Sequence, residues 1–342
     1  MQTGFRRCCR AAVLILAAAL LSIVSCQRRP LEEFGGGTRT RIRITVRTDG
    51  IRNVTSDIYN SSVPVPELVT EAMHVVFFDE SGRIAAETYL TATERDAEGN
   101  TVFVGDVNVV PGTYRIYACS FGAESTLVQG PTAWERDLAY AVDVSENVAA
   151  ACADIVPQGE SLTLCPDHLF VARLPQETIP AVSDIYTVCA DASTVVESYY
   201  LQIKVEGLKY LSNATAVLTG LSSGNLIAQG SRVDDPLSSI RFEMKGSSDG
   251  GQGVLCAIFS TFGRPAGSAN NLQVTFRLTS VDGRIDDYCF DLSDLFLSED
   301  CINHNWLLLD ETIRIDPVEV KGGGGLEPSI GEWDDENHET ML

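Results

Sequence analysis

The sequence predicts an all-β protein with two tandem β-sandwich domains, and three observations lead to that prediction. Short runs in which apolar and polar residues alternate, the pattern of half-buried strands, recur between residues 41 and 315. Segments rich in Gly, Pro, Asn, Asp or Ser separate these runs and are typical of turns. Long helical patterns are missing, so the predicted sheets have to bury their apolar faces against each other. A chain of 342 residues is long enough for two such domains.

The first half begins with the clearest strand pattern. Residues 41–47 direct Ile42, Ile44 and Val46 to one face and Arg or Thr to the other, which predicts a half-buried strand. Residues 73–78 are apolar on both faces, which indicates a central strand. Residues 83–90 return after an Asp-Glu-Ser-Gly turn and are predicted as its hairpin partner.

The next segments follow the same plan. Residues 101–110 and 113–121 are predicted as a second hairpin around the turn Pro111-Gly112. Apolar alternation resumes at 161–173, and residues 175–184 are predicted as a connector.

One helix is predicted, at residues 131–142. Thr132 can cap its first turn, and Trp134, Leu138 and Ala141 recur on one face at helical spacing.

The second half repeats the character of the first. Its predicted strands lie at 199–206, 214–219, 239–244, 254–262, 272–278, 288–292 and 306–315, with a hairpin turn at 281–284.

The N-terminal residues have the layout of a secretory signal. Three Arg give a positive start, residues 11–21 are apolar, and Cys26 follows the small residue Ser25. This layout resembles a bacterial lipoprotein signal, in which the Cys receives diacylglycerol and becomes the new N-terminus. The alternative is a transmembrane anchor, but the apolar run is shorter than the roughly 18–20 residues of a spanning helix. Cys26 is therefore the predicted lipidation site.

These patterns divide the chain into four parts: a signal peptide (1–25), a lipidated tether (26–40), an N-terminal β-sandwich (41–165) and a C-terminal β-sandwich with a Gly-rich acidic tail (166–342). The boundary between the two sandwiches lies within 157–193, where no sharper signal places it.

The charge of the chain limits its partners. The formal net charge is −22, and loss of the Arg-containing signal makes the mature chain still more negative. Such a surface repels phosphate backbones, so nucleic acid is not an expected partner.

The cysteines do not form a metal or redox motif. Seven remain between residues 119 and 301 once the signal and Cys26 are set aside, and none lies in a C-x-x-C pair. Several fall within strand patterns, where Cys behaves as a small apolar residue. Mostly buried, unbridged thiols are predicted, and one or two disulfides formed after export remain the alternative.

No catalytic motif appears, and neither a cofactor nor a metal site is predicted. The sequence contains no H-E-x-x-H, G-x-S-x-G or P-loop motif. Cys301 and His304 are three residues apart, but a catalytic pair also needs a group that orients the base. Acidic residues at 282–294 do not have the spacing of a Ca²⁺ loop and are expected to face solvent on a strand edge.

Four features together resemble the FimB-like fimbrial anchor-subunit lipoproteins of Bacteroidales. They are the mature start Cys26-Gln27-Arg28-Arg29-Pro30-Leu31; the segment 75–79 with Gly82 and then 111–117; the runs 200–207 and 214–220 with Phe262-Gly263; and the Gly-rich segment before Trp333-Asp334-Asp335. The resemblance implies transthyretin-like or immunoglobulin-like β-sandwiches on an outer-membrane lipid. It transfers Cys26 as a functional position and no catalytic residue.

The function that this resemblance implies is non-enzymatic. The chain would be a surface-exposed lipoprotein of the outer membrane, attached through Cys26, that anchors fimbriae by binding the shaft subunit and limits their length. Partners would be fimbrial subunits, with no small-molecule substrate.

Two alternatives remain. A shaft or tip subunit would lose its first strand by cleavage at Arg39, Arg41, Arg43 or Arg47. A glycan-binding lipoprotein would need aromatic platforms, for which the candidates are Tyr59, Tyr89, Tyr140 and the three Trp (134, 306 and 333).

Overall fold

The structure is a computed structural model that describes residues 37–47, 63, 70–121, 124–249, 252–265 and 271–318. From Thr38 onward the chain forms one compact unit. Its described residues are mostly β-strand, which confirms the all-β prediction.

The strands of the first part contribute mainly to one large sheet. They are β1 (Thr38–Val46), β2 (Met73–Phe78), β3 (Ile84–Leu90), β4 (Ala92–Arg95), β5 (Thr101–Val109), β6 (Gly112–Ser120), β7 (Thr126–Gln129), β8 (Leu138–Ala141), β9 (Ser161–Leu164), β10 (Phe170–Ile179) and β11 (Tyr186–Thr194). Helix α1 (Glu146–Ala151) lies between β8 and β9.

The strands of the second part form two further sheets. They are β12 (Glu197–Glu206), β13 (Leu211–Leu226), β14 (Ser231–Glu243), β15 (Lys245–Asp249), β16 (Gln252–Thr261), β17 (Gln273–Ser280), β18 (Ile285–Asp291) and β19 (Trp306–Arg314), with helix α2 (Glu299–His304) before the last strand.

An eight-stranded sheet with the order β3-β2-β6-β10-β11-β1-β5-β4 makes up what we call the first sheet pair. It bends into two layers where β10 meets β11, and side chains from both layers pack into one core. Ile42 and Val188 come from one layer and Phe77, Ile116 and Phe170 from the other. Burial of these faces is the main stabilising contribution of such a sandwich.

A four-stranded sheet (β15-β16-β12-β19) and a seven-stranded sheet (β18-β17-β13-β14-β9) form the second sheet pair. Its core contains Leu201, Leu255 and Leu307 from the smaller sheet and Leu218 and Phe276 from the larger. The two cores share no residue.

A third apolar cluster joins the two sheet pairs and explains why β2 is apolar on both faces. Val75 and Phe77 face the first core, whereas Val76 and Phe78 face this cluster, which also contains Trp134. The prediction of a central strand at 73–78 is confirmed, since β2 pairs with both β3 and β6. The alternation in β1 is confirmed in the same way, with Ile42, Ile44 and Val46 buried.

The predicted helix at 131–142 is wrong. The buried carboxylate of Asp137 accepts hydrogen bonds from the backbone N–H groups of Thr132 and Ala133 and from the Thr132 hydroxyl, which closes a turn. The residues that follow form β8, which pairs with β7 and β13. Trp134 is buried, as a helix face would require, but it belongs to the cluster between the sheet pairs.

The predicted hairpin around Pro111-Gly112 is also wrong. β5 pairs with β1 and β4, whereas β6 pairs with β2 and β10, so the turn connects the two layers of the first sheet pair. The predicted connector at 175–184 is partly strand, because β10 continues to Ile179 through a bulge after Leu174.

Strand pairing does not follow the division proposed at residue 165. β10 and β11 pair within the first sheet pair, whereas β8 and β9, which precede them in sequence, pair with strands of the second. The division into two domains therefore stays a proposal, since the described residues from Thr38 onward form one compact unit.

Candidate strand-accepting and anchoring sites

The predicted lipidation site, Cys26, lies outside the described residues, as does most of the predicted tether at 26–40. The described chain starts at Gly37 and continues directly into β1. Lipidation therefore stays a prediction, and β1 is the element through which such an anchor would connect to the body.

β1 is held on both sides. It pairs antiparallel with β5 from Thr38 to Val46 and parallel with β11 from Thr40 to Val46. A parallel and an antiparallel neighbour together use the backbone groups on both edges of the strand. A force applied to the N-terminal end of β1 would therefore act on its hydrogen bonds to both β5 and β11.

The four Arg that offered cleavage sites lie on or directly after β1, and each has an acidic partner. Arg39 and Arg41 both bind Asp106, Arg43 binds Glu94 at 2.9 Å, and Arg47 binds Asp191 at 3.4 Å. The bonds from Arg41 and Arg39 lower the pKa of the Asp106 carboxyl. Because proteases require an accessible, extended chain, cleavage within β1 requires its local release from the sheet.

Strands β10 and β11 diverge along most of their length, and we call the space between them the β10–β11 gap. The two strands pair only at Phe170–Thr194 and Val171–Ser193. Beyond those positions β10 continues beside β6, and β11 continues beside β1. Further along β10, the pairing with β6 has a bulge between Leu174 and Glu177, where Pro175 has no N–H to donate. Each strand is thus left with one edge that pairs with no other described strand.

Apolar side chains line the β10–β11 gap. Ala172 and Leu174 of β10 and Val188 and Ala190 of β11 flank it, and core residues such as Ile42 form its floor. Near the β10–β11 connector the Tyr186 hydroxyl donates to Glu177 Oε1 at 2.7 Å, which raises the tyrosine pKa and ties the strands together. The cavity between these side chains has room for about one water molecule, so a strand would enter only by separating β10 from β11.

The two residues considered as a catalytic pair, Cys301 and His304, lie on the same short helix, α2. Cys301 is buried in α2, and burial raises the pKa of its thiol to about 11, which disfavours the nucleophilic thiolate. Within the described ranges, no group of three or more His, Cys, Asp or Glu could hold a metal ion. The acidic segment forms the edge strand β18, where Asp286 and Asp287 bind Arg284 and Arg277.

His168 forms a buried link that the sequence did not indicate. Its Nδ1 lies 2.9 Å from Thr194 Oγ1 and its Nε2 lies 2.7 Å from Ser198 Oγ. Burial lowers the pKa of the imidazole to about 4, so it is neutral at physiological pH. The ring connects the segment before β10 to the end of β11 and the start of β12, where the two sheet pairs meet. Its role is structural, and no sequence motif marks it.

Three near-parallel rings form an aromatic ledge beside β3. Tyr89 stacks on His74 at 4.4 Å between ring centroids, and Phe121 lies 6.2 Å from Tyr89. Tyr89 is 57% exposed and Phe121 is 50% exposed. The Glu87 carboxylate lies 3.2 Å from His74 Nε2. Of the aromatic residues considered from the sequence, Tyr89 thus has clustered partners, whereas Trp134 and Trp306 are buried and Tyr59 and Trp333 lie outside the described residues.

Burial of the thiols is confirmed for Cys119, Cys152, Cys256 and Cys301, whereas Cys165 is half-buried and Cys189 and Cys289 are exposed. None of these seven described residues is bridged to another. In the part of the chain that the structure describes, no helix is long and apolar enough to cross a membrane.

The chain matches the model of one protein family. The family model described as "Domain of unknown function (DUF5119)" matches residues 61–243, more than half of the sequence. The chain belongs to the DUF5119 family. The match covers β2 to β14 and thus includes both strands of the β10–β11 gap.

A relative of this DUF5119 chain carries the name "Putative fimbrium anchoring subunit Fim4B" and comes from Bacteroides ovatus. The two are 23% identical over 256 residues, which are 74% of this chain and 65% of the relative. The match thus spans less than two thirds of that relative's length. It confirms the resemblance to fimbrial anchor subunits that the sequence motifs indicated.

Two solved structures have a similar fold. A "putative adhesin" from Bacteroides ovatus aligns with a TM-score of 0.58 and 18% identity, covering 86% of this chain and 98% of that one. Another from the same species aligns with a TM-score of 0.50 and 9% identity, covering 85% and 91%. At these identities the likeness concerns the fold alone.

Proposed function

We propose that this DUF5119 chain is a non-enzymatic, fimbria-associated lipoprotein of the cell surface that holds a fimbrial subunit at the outer membrane. Diacylglycerol on Cys26 would attach it to the membrane, and the β10–β11 gap would receive a strand of the shaft subunit. The relative named as a fimbrium anchoring subunit supports the association with fimbriae. The β10–β11 gap supports the way in which the subunit is bound.

The physical basis is strand addition. A strand placed in the β10–β11 gap would form main-chain hydrogen bonds with the unpaired edges of β10 and β11, which would supply affinity. Its alternate side chains would enter the apolar floor beside Leu174 and Ala190, which would fix the register. The anchoring would then need no catalytic group.

The test fills the β10–β11 gap without changing its backbone. Ala190→Phe places a bulky side chain in the gap, and Ala85→Phe is a matched control on the exposed face of β3. Tagged chains are captured from outer membranes, and the co-purifying proteins are identified. The proposal expects fimbrial subunits with the wild type and the control, and their loss with Ala190→Phe in a chain that remains folded, although the larger side chain beside the first core lowers its melting temperature. Equal recovery with Ala190→Phe would contradict strand entry at this gap.

The N-terminus of the mature protein distinguishes the anchor from the alternative, a polymerising shaft or tip subunit. A lipidated N-terminus at Cys26 supports the anchor. A mature N-terminus after Arg39, Arg41, Arg43 or Arg47 supports a shaft or tip subunit. The pairing of β1 on both sides favours the anchor, because such cleavage would first have to release a strand from the middle of the sheet.

The aromatic ledge favours glycan binding as a second candidate function. Sugar rings pack their C–H faces on exposed aromatic rings, and the neighbouring Glu87 carboxylate could accept hydroxyl hydrogen bonds. Glycan-array binding that disappears in Tyr89→Ala, but not in Tyr140→Ala, would support this function. An array without signal for the wild type would exclude it.

A further inference from the structure

We propose that the end of the first sheet pair at which β1 begins rests on the lipid bilayer, with Val110, Val182 and Ile185 in the membrane interface. We call this end the entry pole and define it as residues 38–40, 108–113 and 178–187. The inference rests on the proposed lipid anchor at Cys26 and adds to it an orientation of the body on the membrane.

The entry pole is one continuous surface. Thr38 is paired with Val109 at the end of β5, and Gly112 is paired with Ile179 at the end of β10. The Thr38 hydroxyl donates to the carbonyl of Pro180 at 2.7 Å. The start of β1, the β5–β6 turn and the β10–β11 connector therefore lie side by side.

Large apolar side chains project from this surface into solvent. Val110 is 50% exposed, Val182 is 43% exposed and Ile185 is 41% exposed. Single exposed apolar side chains are ordinary, but a group of them on one surface commonly marks an interaction site. Backbone hydrogen bonds hold β1, β5, β10 and β11 beneath them, so the side chains are presented on a rigid base.

The charge of the entry pole suits a bilayer better than the rest of the molecule does. Its three segments contain one cation, Arg39, and one anion, Asp184, whereas the whole chain has a formal net charge of −22. Two neighbouring acids, Asp106 and Glu177, are already bonded to Arg39 and Tyr186. Few uncompensated charges would thus have to lose water on contact with lipid.

We take the bilayer as the partner of the entry pole because the chain leads from the lipid on Cys26 directly to this surface. Eleven residues lie between Cys26 and Thr38, and this segment spans at most roughly 40 Å when fully extended. The lipid therefore keeps the entry pole near the bilayer at high effective concentration. Under that condition a modest apolar contact is enough to orient the body.

The first experiment measures contact by fluorescence quenching. Val182→Trp is compared with Val281→Trp, because Val281 is 52% exposed and lies at a turn of the second sheet pair. Both lipidated full-length chains are reconstituted in phosphatidylcholine vesicles with brominated acyl chains, and the wild type supplies the background emission. Strong quenching for Val182→Trp and none for Val281→Trp is expected. Equal quenching of the two would overturn the inference.

The second experiment removes the lipid. The full-length chain with Cys26→Ala is mixed with phosphatidylcholine vesicles, alone or with Val110→Ser, Val182→Ser and Ile185→Ser added. Burying three half-exposed apolar side chains predicts that the triple change lowers vesicle partitioning roughly 10- to 100-fold. An unchanged partition coefficient would contradict the contact. If the lipidated wild type itself fails to float with vesicles, the anchor at Cys26 fails, and the inference fails with it.

Discussion

The two sheet pairs differ most in how their strands are held together. In the second, β12 pairs with β16 from Glu197 to Val205 and with β19 from Tyr200 to Glu206, so that strand has neighbours on both sides along most of its length. In the first, β10 and β11 share only two residue pairs before they diverge. The difference leaves one edge of β10 and one edge of β11 without a strand partner inside the first sheet pair, which is also where the chain arrives from the predicted anchor.

Both sheet pairs have a packed apolar core, and the second core contains more buried residues than the first. Phe77 in the first core and Phe276 in the second are both fully buried. What distinguishes the first sheet pair is the edge of β10 that faces β11, which has no strand partner around Pro175 and lies next to apolar core side chains. A protein that binds a partner strand needs such an edge, whereas a protein that only avoids aggregation would cover it.

The largest effects are expected from the two cores. Phe77→Ala and Phe276→Ala should each lower the free energy of unfolding by about 3–5 kcal/mol, because each leaves a cavity in a packed core. Hydrogen exchange should show faster amides mainly in the sheet pair that carries the substitution. If either substitution speeds amide exchange equally in both sheet pairs, the two cores form one cooperative unit, and the two regions do not differ in local stability.

An intermediate effect is expected from His168, which joins the two regions. Its folded pKa of about 4 lies below the ordinary value of 6.5, so the unfolded chain binds a proton that the folded chain does not. This contribution is complete above pH 6.5 and is lost as the pH falls toward 4, and it amounts to about 3 kcal/mol. Denaturant unfolding at pH 7 and pH 4.5 measures it.

The control for that prediction is His168→Gln, which retains a polar side chain but does not titrate. Its stability should fall less between pH 7 and pH 4.5 than that of the wild type. Parallel curves for the two proteins would show that His168 does not cause the acid sensitivity.

The smallest effect is expected where the β10–β11 gap meets the β10–β11 connector. Tyr186→Phe removes the hydrogen bond to Glu177 and should cost at most about 1 kcal/mol. Amides of β11 should nevertheless exchange faster, because the bond connects two strands that are otherwise unpaired there. Tyr199→Phe is the matched control, since Tyr199 bonds Glu197 within β12 and bridges no gap. Faster exchange in both variants, or in neither, would remove the distinction between the two regions.

Periodicity was sufficient to predict strands but not their partners. β1, β2 and β12 could be predicted because alternation or double-sided burial depends on local residue order. The failure at 131–142 has a non-local cause, since Asp137 accepts hydrogen bonds from Thr132 and Ala133 while Trp134 packs between sheets. A spacing of 3, 4 and 7 residues cannot reveal that competition.

The candidate site shows the same limit. The Arg residues and the apolar alternation around β1 are visible in the sequence, whereas the β10–β11 gap arises from strands that belong to different layers. Pro175 was the one local signal of it, because a proline inside a strand indicates an edge or a bulge. The link formed by His168 depends on Thr194 and Ser198, which lie 26 and 30 residues away, and thus has no local signature.

We propose that lipid on Cys26 ties a strand-accepting sandwich to the membrane, and removing that one sulfur separates the body from its anchor. Cys26→Ala and wild-type chains are expressed in the native host, and membranes are separated from soluble fractions and medium. We expect the variant to keep the melting temperature of the wild type but to leave the membrane fraction, and we expect fimbriae to be shed from those cells. A folded Cys26→Ala chain that stays in the membrane fraction, with fimbriae still attached, would contradict it.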